Sequence, residues 1–262
     1  MPRVDHETWN SKTPMTMFTK LVQISTGIMT VAYSGADIRR MIAVDGDEIA
    51  VKETTQDPLA EILVDSMEEL SSEQNVGTNV VDITPAASIA AIFDNTPESR
   101  ALNGRLWFAY NLQGDGGVVG CLSACDFFVD DAFLTSKFTD KYIKSAGLPR
   151  NLKDYWFCDI VVSSKPPAGS LLLTQAYLYA ARTKRKGLAM IAVTNGGLKL
   201  GTTLGMKKHK YKEGTLCYIE MGELRLSTVS KKLNLKGATD TVLTEICSRF
   251  QIRDESKIAM RC

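Results

Sequence analysis

The sequence predicts an α/β protein built on a mixed central sheet. Three observations predict it: a β-hairpin pattern in mid-chain, an almost wholly apolar strand that runs straight into a helix, and a second apolar strand after that helix. The 262 residues suit one large domain or a domain with additions. With 44% hydrophobic and 23% charged residues, the chain can bury a real core.

Taken in order, residues 1–17 are polar and read as an arm, and 18–35 are rich in Val, Ile and Thr and read as a strand. "DPLAEILVDSMEEL" (57–70) has helical spacing, with Asp57 to cap it and Pro58 at its first position. "NVVDI" (79–83) reads as a strand and 84–95 as a short helix capped by Thr84. "RLWFAYNL" and "GGVVGCLSACDFFV" flank "QGDGG", which makes them a hairpin. "DYWFCDIVV" (154–162) has the continuous apolar character of a central strand, and a helix follows it. "LAMIAVT" (188–194) is a further strand, "GGLKLGTTLGM" a short helix, and "KYKEGTLCYIEM" (210–221) two strands about Glu-Gly. "TDTVLTEICSRF", beyond Gly222, is amphipathic and helical.

Net charge is +1, so the overall field favours neither nucleic acid nor a membrane. The charges are unevenly spread: ten acids against Lys52 between Asp45 and Glu73, and nine Lys/Arg with no acid between Arg182 and Lys212. The acids fall largely on the wet face of their helix. Arg182, Lys184, Arg185 and Lys186 occupy a helix end that Gly187 closes, where cations suit the dipole. Lys207, Lys208, His209 and Lys210 form a second basic group, open to an acidic partner or a ligand's phosphates. No run of about 18 apolar residues exists to span a membrane, and the N-terminus lacks a signal-peptide pattern. Six irregularly spaced cysteines then point to reduced thiols and a cytoplasmic setting. With only His6 and His209 available, Cys121 and Cys125 make a poor metal site, and none is expected.

The stretch "DIVVSSKPPAGSLLLTQAYLYAARTKRKG" (159–187) places a Gly-containing loop between strand and helix. A helix beginning there offers unsatisfied N–H groups and a positive dipole end, which suits phosphate or pyrophosphate. Gly169 removes a Cβ from the approach, and Ser170 can cap or donate. Neither a P-loop nor a Rossmann fingerprint is present.

The order of "GGVVGCLSA", "WFCDIVVSSKPPAGSLLL" and "LAMIAVTNGGLKLGTTLGMKKHKYKEGTLCYIEM" resembles the GNAT superfamily of acyl-CoA-dependent N-acyltransferases. The resemblance implies a GNAT-like core over 79–221, an N-terminal extension over 1–78 and a C-terminal helical extension over 222–262. It implies that the backbone of Ile160, Val161 and Val162 splays from the neighbouring strand and pairs with the pantetheine arm of acetyl-CoA or another acyl-CoA. Pro166 to Leu171 is then the pyrophosphate loop, with the amides of Ala168, Gly169, Ser170 and Leu171 on phosphate oxygens, Lys165 adding charge, and Asn195 near the pantetheine or thiol end. Gly205-Met206 stands for the family's Gly-Phe. The sequence departs at Pro166, where the family has Arg or Gln, and at Leu171, where it has Gly or Ala. No Tyr occupies the span from Lys199 to Thr202.

The implied function is transfer of an acyl group, an acetyl group in the first instance, to a primary amine of a small molecule or protein by direct attack. The alternative is a catalytically inactive GNAT-fold protein with a binding or structural role, and a nucleic-acid modifier using the basic groups is a third. Asp159, an acid within an apolar strand, is the candidate base, and Tyr211 the candidate acid. Tyr155 and Glu220 are open to similar roles, and Cys158 alternates toward the core. An oligomer is compatible with the sequence.

Overall fold

The computed structural model describes residues 26–45, 48–53, 64–65, 92–93, 96–113, 117–126, 144, 147–149, 152–192, 194–211, 214–225 and 227–229. The expected helices at 57–70, 84–95 and 239–250 and the strand at 79–83 therefore lie wholly or mostly outside the described residues.

A seven-stranded sheet forms the body, in the order β1–β4–β5–β6–β7–β9–β8. Its strands are β1 (Ile28–Ser34), β4 (Arg105–Asn111), β5 (Val118–Asp126), β6 (Trp156–Ser163), β7 (Gly187–Ala192), β8 (Lys207–Tyr211) and β9 (Gly214–Glu220). β6 and β7 run parallel and every other neighbouring pair antiparallel, so the sheet is mixed, as expected. β1 pairs with β4 along its whole length, so residues 28–34 of the expected N-terminal extension join the main sheet and are its outermost strand among the described residues. β8 starts at Lys207, before the expected boundary, and presents exposed lysines on the other edge.

Helix α3 (Ala168–Arg182) crosses one face and α4 (Asn195–Thr203) follows β7. α3 is buried over most of its surface, and its leucines and alanines pack on Trp107, Leu122, Trp156 and Met190. Its end differs from expectation. Lys184, not Gly187, takes the left-handed conformation (φ 59°), and Arg185 N–H returns to the Ala180 carbonyl at 2.9 Å. Gly187 instead belongs to β7, where a Cβ would stand 2.2 Å from the Tyr155 ring and 2.4 Å from the Ile219 carbonyl.

The opposite face carries two separate apolar clusters. One gathers around α1 (Gly35–Met41) and includes Ile38, Phe108, Cys121 and Cys125; the other holds Leu148, Leu152, Tyr155 and Phe157. α1 opens with a reciprocal cap: Asp37 N–H donates to Ser34 Oγ at 3.2 Å, and Ser34 N–H donates to the Asp37 carboxylate at 3.1 Å. A small sheet, β2 (Ile42–Asp45) and β3 (Glu48–Val51), and the short α2 (Pro97–Ala101) complete the described elements.

Candidate functional site at the β6–β7 opening

β6 and β7 pair at Trp156–Leu188, Phe157–Ala189 and Cys158–Met190, and the pairing ends there. Both strands continue, β6 to Ser163 and β7 to Ala192. On its other side β6 stays paired with β5 as far as Ser163–Gly120. Residues 160–163 therefore have one edge paired with β5 and one edge beyond the β6–β7 ladder.

The cause lies in the register. Ser123 faces Ile160 and Ala124 faces Cys158, so Asp159 is an extra residue with no counterpart on β5. A bulge of this kind bends its strand and increases local twist, which carries the rest of β6 away from its neighbour. Asp159 is half-buried at the vertex, and its charge adds to burial in raising the Cys158 thiol pKa. Cys158 itself sits in the core, as expected. Val161 is half-buried against the α3-side core and Val162 is buried on the other face, while the Ile160 backbone lies opposite Ser123.

Past the opening, Ser164 N–H and Oγ tie the loop to the Val119 carbonyl, at 3.1 and 3.4 Å. α3 then starts without a side-chain cap. Ala168 N–H is taken by the Lys165 carbonyl at 2.9 Å and Leu171 N–H by the Pro167 carbonyl at 3.0 Å. Of the four expected amides, Gly169 and Ser170 are the two with no acceptor among the described residues. The room left by Gly169 is also used by the chain itself: a Cβ there would meet Ser163 Oγ at 2.7 Å and Leu200 at 3.3 Å. Lys165 is exposed beside the loop, and Asn195 is exposed in the first turn of α4, which Thr194 caps by accepting from Gly197 N–H at 3.0 Å.

The other candidates fall at two ends of the sheet. Tyr211 closes β8 opposite Gly214, at the open end. Tyr155 and Glu220 lie at the far end, where Gly187 pairs with Glu220. Tyr155 is 1% exposed, burial, with Glu220, Tyr218 and Glu223 nearby, raises its pKa, and it stands at the end of the sheet away from the opening. Glu220 and Glu223 both engage Lys207. Arg185, expected to be solvated, pairs with Asp126 and lies over the Trp156 ring. Gly205 takes a positive φ (79°) after α4, and Met206 is buried.

A β4–β5 hairpin, a bulged β6 parting from β7, a helix at that parting and an antiparallel β8–β9 pair reproduce the order the sequence implied. The fold is a mixed α/β one, as expected. No protein-family model and no curated protein matches the chain. Among solved structures, TofI in a ternary complex with an inhibitor and MTA is similar at 12% identity, over 73% of this chain and 97% of that one, with a TM-score of 0.40. A GNAT-family acetyltransferase from Listeria monocytogenes is similar at 11% identity, over 68% and 99%, with a TM-score of 0.41. A further acetyltransferase is similar at 17%, over 72% and 98%, with a TM-score of 0.29. Likenesses this distant carry no argument about chemistry. Among the described residues there is no cluster fit to hold a metal, and no helix long and apolar enough to cross a membrane.

Proposed function

We propose that the chain binds an acyl-CoA, acetyl-CoA in the first instance, at the β6–β7 opening and transfers the acyl group to a primary amine. The observation that carries this reading is the half-open edge of residues 160–163, which leads directly to two amides at the start of α3 with no acceptor among the described residues. An extended pantetheine arm would pair along Ile160, Val161 and Val162 as an added strand does. The diphosphate would take the N–H groups of Gly169 and Ser170, with Lys165 and the helix dipole balancing its charge. Asn195 would stand across the opening from β6.

In the transfer, the amine nitrogen attacks the thioester carbonyl, the C–S bond breaks, and the departing thiolate takes up a proton. Asp159 stands at the vertex to accept the ammonium proton before attack. Tyr211 stands at the same end of the sheet as the candidate donor to sulfur.

A second reading, a GNAT-like fold that lacks turnover, draws on the Ser163 and Leu200 side chains against Gly169 and on the two amides already spent. Two measurements separate the readings. Acetyl-CoA at a hundred times its dissociation constant should add about 2.7 kcal/mol of stability, and thiol should be released when amines are supplied. Stabilisation without thiol release supports the second reading; neither effect removes the acyl-CoA site.

A further inference from the structure

Among the described residues β8 is the outermost strand on its side of the sheet, paired with β9 alone. Which of its backbone groups face outward follows from β9. Met221 N–H donates to the Lys186 carbonyl at 3.0 Å, which extends by one residue the register of Gly187–Glu220 and Leu188–Ile219. Bonded positions alternate along an antiparallel pair. Ile219, Cys217 and Thr215 therefore turn their N–H and C=O groups toward β7. Tyr218, Leu216 and Gly214 bond to β8 instead, through Lys207, His209 and Tyr211. The N–H and C=O groups of Lys208 and Lys210 are left pointing away from the sheet, and nothing among the described residues takes them.

The side chains on this edge carry one sign of charge. Lys208 and Lys210 are exposed on one face, opposite Cys217 and Thr215 of β9. Lys207 lies on the other face and is held by Glu220 and Glu223, whereas Lys208 and Lys210 have no acid against them among the described residues. No acid occurs in the sequence between Arg182 and Lys212. An open strand edge is a template for a further strand, and lysines on it select against a like-charged one. A second copy of β8 would set lysine against lysine.

We infer that β8 is a docking edge for a partner protein's extended acidic segment, which adds to the sheet as an eighth strand. The segment's backbone exchanges hydrogen bonds with Lys208 and Lys210, and its acids at alternate positions stand opposite these two side chains. Main-chain bonds supply the affinity and the alternate side chains the selectivity, as in other strand additions. A nucleic acid fits less well, because phosphates accept hydrogen bonds and would leave the two carbonyls unpaired. The docking does not depend on acyl transfer, since it uses the edge strand and not the β6–β7 opening.

The test is fluorescence anisotropy with a labelled peptide of alternating Thr and Glu, beside three controls. One control has the same composition with its acids in a single block, one carries N-methyl groups on alternate amides, and one is a single-stranded oligonucleotide. The alternating peptide should bind most tightly, and more weakly as salt is raised. The Lys208→Glu, Lys210→Glu double variant should lose roughly tenfold in affinity, about the worth of two surface ion pairs turned to repulsion. It should gain affinity for a peptide of alternating Thr and Lys, and its unfolding midpoint should stay unchanged. Amide exchange at Lys208 and Lys210 should slow when the alternating peptide is bound, while His209, bonded inward, keeps its rate. The inference is overturned if the alternating peptide does not bind, or if the N-methylated or block peptide binds as tightly. It is equally overturned if the oligonucleotide binds more tightly than the peptide, or if the protein alone dimerises through this edge.

Discussion

Cys158 and Met190 are the last residues at which β6 and β7 run side by side. The next residue of β6 is Asp159, the bulged one, so the strand opens where its one acid stands. If that carboxylate takes the ammonium proton, Asp159→Asn should lower the acyl-transfer rate about a hundredfold or more. Acetyl-CoA affinity should persist, because the backbone edge is unchanged. Stopped-assay kinetics beside calorimetric titration of the variant check both halves.

Gly169 and Ser163 test how the loop is packed. A Cβ at Gly169 would lie 2.7 Å from Ser163 Oγ. Gly169→Ala should destabilise by about 1 kcal/mol, as mild overpacking does. In a Ser163→Ala background most of that loss should vanish, since contacting residues are non-additive. A double-mutant cycle by urea unfolding measures the coupling.

Gly187 has no such relief. Its missing Cβ is crowded by the Tyr155 ring and by the Ile219 carbonyl, a backbone atom in a paired strand. Gly187→Ala should cost about 3 kcal/mol, at the upper end of overpacking, and denaturant midpoints will show it.

The Ser34–Asp37 cap predicts an acid response. Burial pushes the Asp37 pKa up, but hydrogen bonds from the Ser34 side chain and backbone, with Arg40 nearby, outweigh it and hold the value below normal. A lowered folded-state pKa gives stability that is present above the ordinary aspartate range and lost as pH falls through the lowered value. Ser34→Ala should cost about 1 kcal/mol at neutral pH. The difference from the unaltered protein should shrink once Asp37 is protonated, which paired unfolding curves from pH 7 downward can follow.

The thiols should be inert in the folded state. Cys121, Cys125, Cys158 and Cys217 are all buried, and burial alone pushes Cys121 up to about 12. Thiolate is the reactive form. Disulfide-reagent labelling at pH 8 followed by peptide mapping should therefore find these four unmodified until denaturant is added.

Much of this fold is legible in the sequence because its signals are local. The hairpin turn, the apolar run of β6 and the periodicity of α3 each sit within a few residues. Less legible is 35–51, which forms α1, β2 and β3. Two signals were available there: Ser34 with Asp37 as a cap, and Asp45-Gly46 as a hairpin turn. The second lies where a count of acids, from Asp45 to Glu73, invites reading only a charge run. Gly187 misleads because it follows a basic helix end, yet its reason is a contact with β9, distant in sequence. The bulge at Asp159 and the spent amides depend on register and turn geometry, which no local pattern encodes.

The claim at the centre is that the open edge of β6 and the first amides of α3 receive one extended ligand. Amide hydrogen exchange with and without acetyl-CoA reads those groups directly. Exchange should slow at Gly169, at Ser170 and within residues 160–162, while the paired stretch 156–158 stays as it was. Exchange left unchanged at all of these positions by saturating acetyl-CoA would contradict the account.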